Sequence, residues 1–311
     1  MAKFGASLFA GVGLFALASS AMAADLLPPP PAVDLPLPPA ASGADVSGWY
    51  LRGDVGVGVN SAPTGLAVSP DPIATGQASG FLSANATNTF NNSSLGESQL
   101  YDIGIGYQFN NWLRADVTGE LRGGGHFQSL EVVNDPTFPG GSTAQFADFY
   151  RGDVSTYLAM VNGYADIGAW SGVTPYVGAG IGMSYTRMSG FTDTGANQIG
   201  AANSASGGYF ANGSKASYAW ALMTGLDFKV TQNLTMELGY RYLNYGGFKT
   251  GASNCLSGGG PTPFSTGNCG GAVANVLSSA RLGSSDFRLG FRYLIGDAAP
   301  ATEPGPIVRK Y

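Results

Sequence analysis

The last regular stretch of the chain, Ser284 to Ile295, alternates residue by residue. Phe287, Leu289, Phe291, Tyr293 and Ile295 fall on one face of a strand, and Asp286, Arg288, Gly290 and Arg292 on the other. Successive side chains point to opposite faces, so this is a ribbon with one apolar and one charged face. In a soluble sandwich the apolar face would turn into a core. In a membrane barrel it turns outward to lipid, and the charges fill the lumen. Composition bears on the choice. Only 11% of residues are charged, against about a quarter in an ordinary soluble domain. After residue 24 no run approaches the ~18 apolar residues of a spanning helix. A membrane chain without such helices must satisfy its backbone in a closed barrel.

Seven more ribbons precede the last: Trp49 to Asn60, Gln99 to Phe109, Trp112 to Gly123, Ser155 to Gly168, Pro175 to Met188, Ala216 to Val230 and Leu234 to Tyr245. Their connections alternate in length. Asn110-Asn111, Ala169 to Thr174 and Thr231 to Asn233 are short turns. Ser61 to Ser98, Gly124 to Asp153, Ser189 to Lys215 and Lys249 to Gly283 are long, and read as mobile surface loops. Outer-membrane barrels have short periplasmic turns and long outer loops, with both ends of the chain on the short-turn side. Strands of about eleven residues at ~3.3 Å each, tilted about 45°, reach roughly the 25 Å of an apolar band. The expected fold is therefore all-β: an eight-stranded antiparallel transmembrane up-and-down β-barrel over residues 47–296, with four long surface loops.

The amino terminus reads as a secretory signal over residues 1–23. Lys3 precedes an apolar stretch from Phe4 to Ala18, and Ala21-Met22-Ala23 is a small-x-small cleavage site. No cysteine follows it to carry a lipid anchor. Residues 24–46 are rich in proline and form a periplasmic linker of polyproline II type. A second proline-containing tail covers residues 297–311. The formal charge of −5 and the lack of a basic cluster exclude nucleic acid as a partner.

The expected lumen carries Arg52, Arg114, Arg122, Lys229, Arg241, Arg288 and Arg292 against Asp54, Asp102, Asp116, Glu120, Asp166, Asp227, Glu237 and Asp286. Buried charges persist only when paired and hydrogen-bonded, and an eight-stranded interior is just wide enough for side chains to fill. One paired network plugging the barrel is the expectation, with Arg114, Glu120, Arg241, Glu237, Arg288 and Arg292 inside it. A narrow porin-like channel for small solutes is the alternative. The inward glycines Gly104, Gly106, Gly178, Gly180 and Gly182 would leave room for arginines from across the barrel. Their spacing of two, with no helix following, separates them from phosphate-binding loops.

Cys255 and Cys269 lie in the last long loop, and an oxidising compartment favours a disulfide between them over a metal pair, for which no histidine is near. The single histidine, His126, is the residue through which a lipid-modifying barrel enzyme would have to work, as base to a serine. The place two residues along is Gln128. Neither a catalytic residue nor a cofactor or metal site is expected.

Two segments carry a family resemblance. Ser47-Gly48-Trp49-Tyr50-Leu51-Arg52-Gly53-Asp54 and Asp286-Phe287-Arg288-Leu289-Gly290-Phe291-Arg292-Tyr293 resemble alphaproteobacterial outer-membrane immunogenic, opacity-like proteins, which group with eight-stranded barrels of the OmpA-transmembrane and OmpX type. The resemblance spans about Val46 to Ile295. It implies a surface-presenting role in envelope integrity and in host or matrix contact. Its implied partners are outer-membrane lipid, lipopolysaccharide, the barrel-assembly machinery and host or matrix surface ligands. Arg288, Gly290, Tyr293 and Ile295 look like the signal that machinery reads on a closing strand. Here the chain continues through Asp297 to Tyr311, where such proteins commonly stop at an aromatic residue.

Overall fold

The computed structural model describes residues 47–78, 80, 82–257, 265–267 and 275–295. The expected signal segment and linker, residues 1–46, together with Cys269 and residues 297–311, lie outside them. The elements are β1 (Gly48–Asn60), β2 (Ala67–Ser69), α1 (Pro72–Ala78), β3 (Thr87–Leu95), β4 (Ser98–Gln108), β5 (Leu113–Phe138), β6 (Ser142–Asp166), β7 (Val173–Ile199), β8 (Ala202–Phe210), β9 (Gly213–Lys229), β10 (Leu234–Asn244), β11 (Ser253–Ser257), β12 (Ser265–Gly267), β13 (Val276–Ser278) and β14 (Gly283–Ile295).

Eight of these close a ring in which every strand is antiparallel to both neighbours. Its order is β1, β4, β5, β6, β7, β9, β10, β14 and back to β1. Local chemistry sets the short turns. The side-chain oxygen of Asn110 accepts from the amides of Trp112 and Leu113 at 3.0 and 2.8 Å, and Thr231 Oγ1 accepts from Leu234 N at 3.0 Å. Side chains that mimic a backbone turn in this way fix a tight reversal. The outward face is apolar around the ring: Ile103, Val117, Leu121, Val161, Ile181, Leu222 and Phe287 are all exposed. A face of that kind has lipid as its solvent.

The long connections depart from the expectation of loops. β5 runs 26 residues and β7 runs 27, about twice the length the apolar band needs. Past the belt, β5, β6 and β7 continue as one sheet, with β3 added to β5 and β8 to β7. The sequence pattern breaks where this extension begins. On β5 the buried positions are even through Arg122, then odd from Gly125, and the register shifts between those residues. On β7 they are even through Met188, then odd from Phe191. One extra residue sends every later side chain to the other face, so each bulge inverts the phase of the strand. Gly124 and Gly190, at φ +80° and +60°, supply the left-handed backbone these bulges use. The expected strand ends at Gly123 and Met188 are therefore phase changes within longer strands.

Two long connections also fold inward over the lumen. Val68 of β2 pairs with Leu277 of β13. Leu277, Leu282 and Phe248 are fully buried. They join Phe127, Tyr150, Phe191 and Phe210 in an aromatic layer, with ring centroids 5.0 Å apart for Phe127–Phe248 and for Phe191–Phe210.

Candidate functional site

The lumen below that layer is filled by charge. Arg52, Arg114, Arg122, Arg241, Arg288 and Arg292 meet Asp54, Asp102, Asp116, Glu120, Asp166, Asp227, Glu237 and Asp286 there. Strand parity alone turns these side chains inward, and the ring brings together residues far apart in the chain. Arg114 donates to Glu237 at 2.9 Å and to Asp227 at 3.2 Å. Arg52 bridges Asp54, Asp116 and Glu237 at 2.9, 2.9 and 3.1 Å. Arg288 holds Asp102 at 2.7 Å and Asp54 at 3.2 Å.

The charges form two clusters, not one. Arg122 and Arg241 share Glu120 and Asp286; the ion pairs of Arg52, Arg114, Arg288 and Arg292 all lie in the other group. Register is the reason. Arg241 stands opposite Asp286 on β14, while Gly239 stands opposite Arg288, so Arg288 turns toward β1 and β4. Glu120 and Arg241 therefore belong to the smaller cluster. Lys229 is a second correction. It shares the inward parity of Asp227 but is exposed at the short-turn mouth, with no ion pair among the described residues.

Tyrosines complete the filling, and sequence reasoning left them out of the network. Tyr50 donates to Asp116 at 3.2 Å. The Arg114 guanidinium lies over the rings of Tyr164 and Tyr176, 4.5 and 4.7 Å from their centroids, a favourable cation–π geometry. Their inward parity beside the charged residues was the available signal. The inward glycines make room for these rings more than for arginines: a Cβ on Gly106 would come 2.3 Å from Tyr50, and one on Gly178 would come 2.6 Å from Tyr164. A cavity of about 10 Å³ lies in the middle of the lumen beside Arg52 and Arg288, room for about one water.

A second group of acids lies in the sheet extension, where no strand was expected. Glu131 of β5 stands directly opposite Asp148 of β6, and Asp193 of β7 opposite Tyr150. Tyr150 and Asn88 both donate to Glu131 at 2.5 Å. Burial, then the neighbouring Glu131, pushes the Asp148 carboxyl up to about 6, against the opposing hydrogen bond from Ser206. Burial, then Asp148 and Glu131, pushes Asp193 up to about 7.

His126 and Asp153 meet at 2.6 Å on the surface of the β5–β6 pair. Both side chains are largely exposed, and among the described residues no serine is hydrogen-bonded to the imidazole. Cys269, the expected disulfide partner of Cys255, lies outside the described residues; Cys255 sits in β11, opposite Gly267.

An antiparallel eight-stranded ring, apolar outside and ion-paired within, defines the class: this is an outer-membrane β-barrel. The chain belongs to the Opacity family of porin proteins, whose family model matches residues 74–257. A Brucella abortus protein is 30% identical over 244 residues, covering 76% of this chain and 79% of its own length. The outer membrane protein PagN of Salmonella typhimurium is 25% identical over 266 residues, covering 82% of this chain and 92% of PagN. Among solved structures, Neisserial surface protein A aligns with a TM-score of 0.34 and 18% identity over 80% of this chain and 99% of that one.

Proposed function

We propose that this barrel is a closed, non-enzymatic platform that presents a β-sheet at the cell surface. The long-loop end faces outward, and the short turns and both termini face the periplasm. One observation carries the reading: the lumen is filled from the charged clusters to the aromatic layer, while β5 to β8 continue past the apolar belt. A filled lumen gives no continuous water path, so the exposed chemistry is concentrated on the extended sheet. That sheet contacts host or matrix surface ligands, and the belt contacts outer-membrane lipid and lipopolysaccharide. The barrel-assembly machinery reads the closing strand at Arg288, Gly290, Tyr293 and Ile295; Tyr293 and Ile295 face outward and are about half exposed.

The test has two arms. An epitope inserted at the β5–β6 turn, between Gly140 and Gly141, is expected to be labelled on intact cells, and a periplasmic location would reverse the orientation. The refolded protein in a planar bilayer is expected to give no steady conductance. Steady, ion-selective openings would replace this reading with the narrow channel.

A further inference from the structure

At the short-turn end the lumen opens into a cavity of about 630 Å³, between the three short turns and the ion-paired floor. That volume lies within the range of small-molecule sites. Its charged lining is Asp166, Asp227, Arg292 and Lys229. Asp166 is paired with Arg114, and Asp227 with Arg114 and Arg292. Asp227 is 3% exposed. Its Oδ2 accepts from Arg114 and Arg292, but its Oδ1 is buried without a hydrogen-bond partner. A buried carboxylate oxygen left without a donor costs about 1–3 kcal/mol or more, and no side chain among the described residues supplies that donor. On the same face of β9, two residues further, Lys229 lines the same cavity and has no ion pair among the described residues. Two residues along a strand are about 6.6 Å apart at the backbone, so the strand brings to one cavity wall a carboxylate lacking one donor and a lysine lacking an ion pair.

We propose that this mouth is a binding site for a small zwitterion, whose ammonium group is held by Asp227 and Asp166 and whose carboxylate is held by Lys229. A free amino acid or a short peptide has that chemistry. The ion-paired floor of Arg114, Glu237 and Arg292 stops the ligand from passing through, so the site is a dead-end pocket and not the entrance of a channel. It is independent of what the extended sheet contacts.

The full chain, refolded in detergent micelles, is titrated with glycylglycine by calorimetry. The single-charge analogues are N-acetyl-glycylglycine and glycylglycinamide. Saturable binding of glycylglycine is expected, with a loss of about tenfold or more for each analogue, the usual effect of one charge-assisted hydrogen bond. Lys229 makes no ion pair among the described residues, so Lys229→Gln should fold as the parent. It is expected to bind glycylglycine about tenfold more weakly and to leave the affinity for glycylglycinamide unchanged. The ammonium seat is tested by the acetylated analogue, with no change to Asp227, which is part of the charged cluster. The proposal is overturned by the absence of saturable binding to the full chain, including a mouth already occupied by another segment of the protein. Equal affinity for the three ligands, or an unchanged affinity in a folded Lys229→Gln protein, also overturns it.

Discussion

The two halves of the lumen fill the same narrow tube in different ways. Toward the short turns, Arg52, Arg114, Arg288 and Arg292 are each tied to two or more carboxylates. Toward the long loops, Phe127, Met188, Phe191, Phe248 and Leu277 exclude water with apolar volume. Coulomb pairing in a dry site is specific: removing one partner leaves its opposite number buried and uncompensated, a loss of several kcal/mol. Apolar packing is set by volume, and side chains of similar size exchange at modest cost. The charged half should therefore be brittle to single substitutions, and the aromatic half tolerant of conservative ones.

Glu237 is the sharpest place to break that comparison, since it is paired with Arg52, Arg114 and Arg292. Glu237→Ala is expected to lower stability by roughly 3–5 kcal/mol if the site is dry, measured by urea unfolding with lipid present. A small loss accompanied by altered ion selectivity in a bilayer would mean that water replaces the partner, and that this half is a pore lining. On the outside of the barrel, Leu222→Arg should cost about 2–4 kcal/mol near mid-bilayer. Lipid-soluble labelling that tags position 223 and spares 222 would refute the assignment of faces, because Leu222 is exposed and Met223 buried.

In the aromatic half, Met188→Leu is expected to cost less than about 1.5 kcal/mol, although Met188 is 1% exposed. A loss as large as that of Glu237→Ala would erase the contrast between the halves. The extended sheet should differ from both by its pH dependence. Asp148 and Asp193 titrate near 6 and 7 in the folded sheet, above the value of about 3.9 in an unfolded chain. The folded form therefore binds more protons between about pH 4 and 7. This contribution is fully present below the unfolded value and is lost as pH rises through 6 and 7. Amide protection at 144–150 and 191–197, corrected for intrinsic exchange, should fall from pH 4.5 to pH 8; constant protection would count against the buried acids. The smallest effect is expected from the loop cysteines. Peptide mapping without reductant should join Cys255 to Cys269, and reduction should leave the unfolding of the barrel unchanged. Two free thiols in protein from the envelope would remove the bond.

Much of the barrel was legible because the information is local. The inward charges and outward aromatics of β1, β4, β10 and β14 alternate without interruption, so their faces follow from spacing alone. The extension of β5 and β7 was not legible for the same reason. At Gly124 and Gly190 one extra residue inverts the phase, and a pattern read by parity ends there. Glu131, Asp148 and Asp193 were missed with it, since residues assigned to a loop have no face. The inward fold of Phe248 and Leu277 left no periodic trace either; both sit in short segments between turns.

The sequence by itself determined which side chains face lipid and which face the lumen, because the side-chain period of a strand is two and needs no knowledge of the partner. Loop lengths added the even strand count. Only the tertiary structure decided which charges meet. Arg52 and Glu237, Arg114 and Asp227, and Arg288 and Asp54 are brought together across the lumen or around the wall by ring closure and register. Closure is a property of all eight strands at once, and one register step moves a guanidinium by a residue spacing of about 3.3 Å. The division into two charged clusters, the exposed Lys229 and the orphaned oxygen of Asp227 all follow from that geometry, and no single strand contains it.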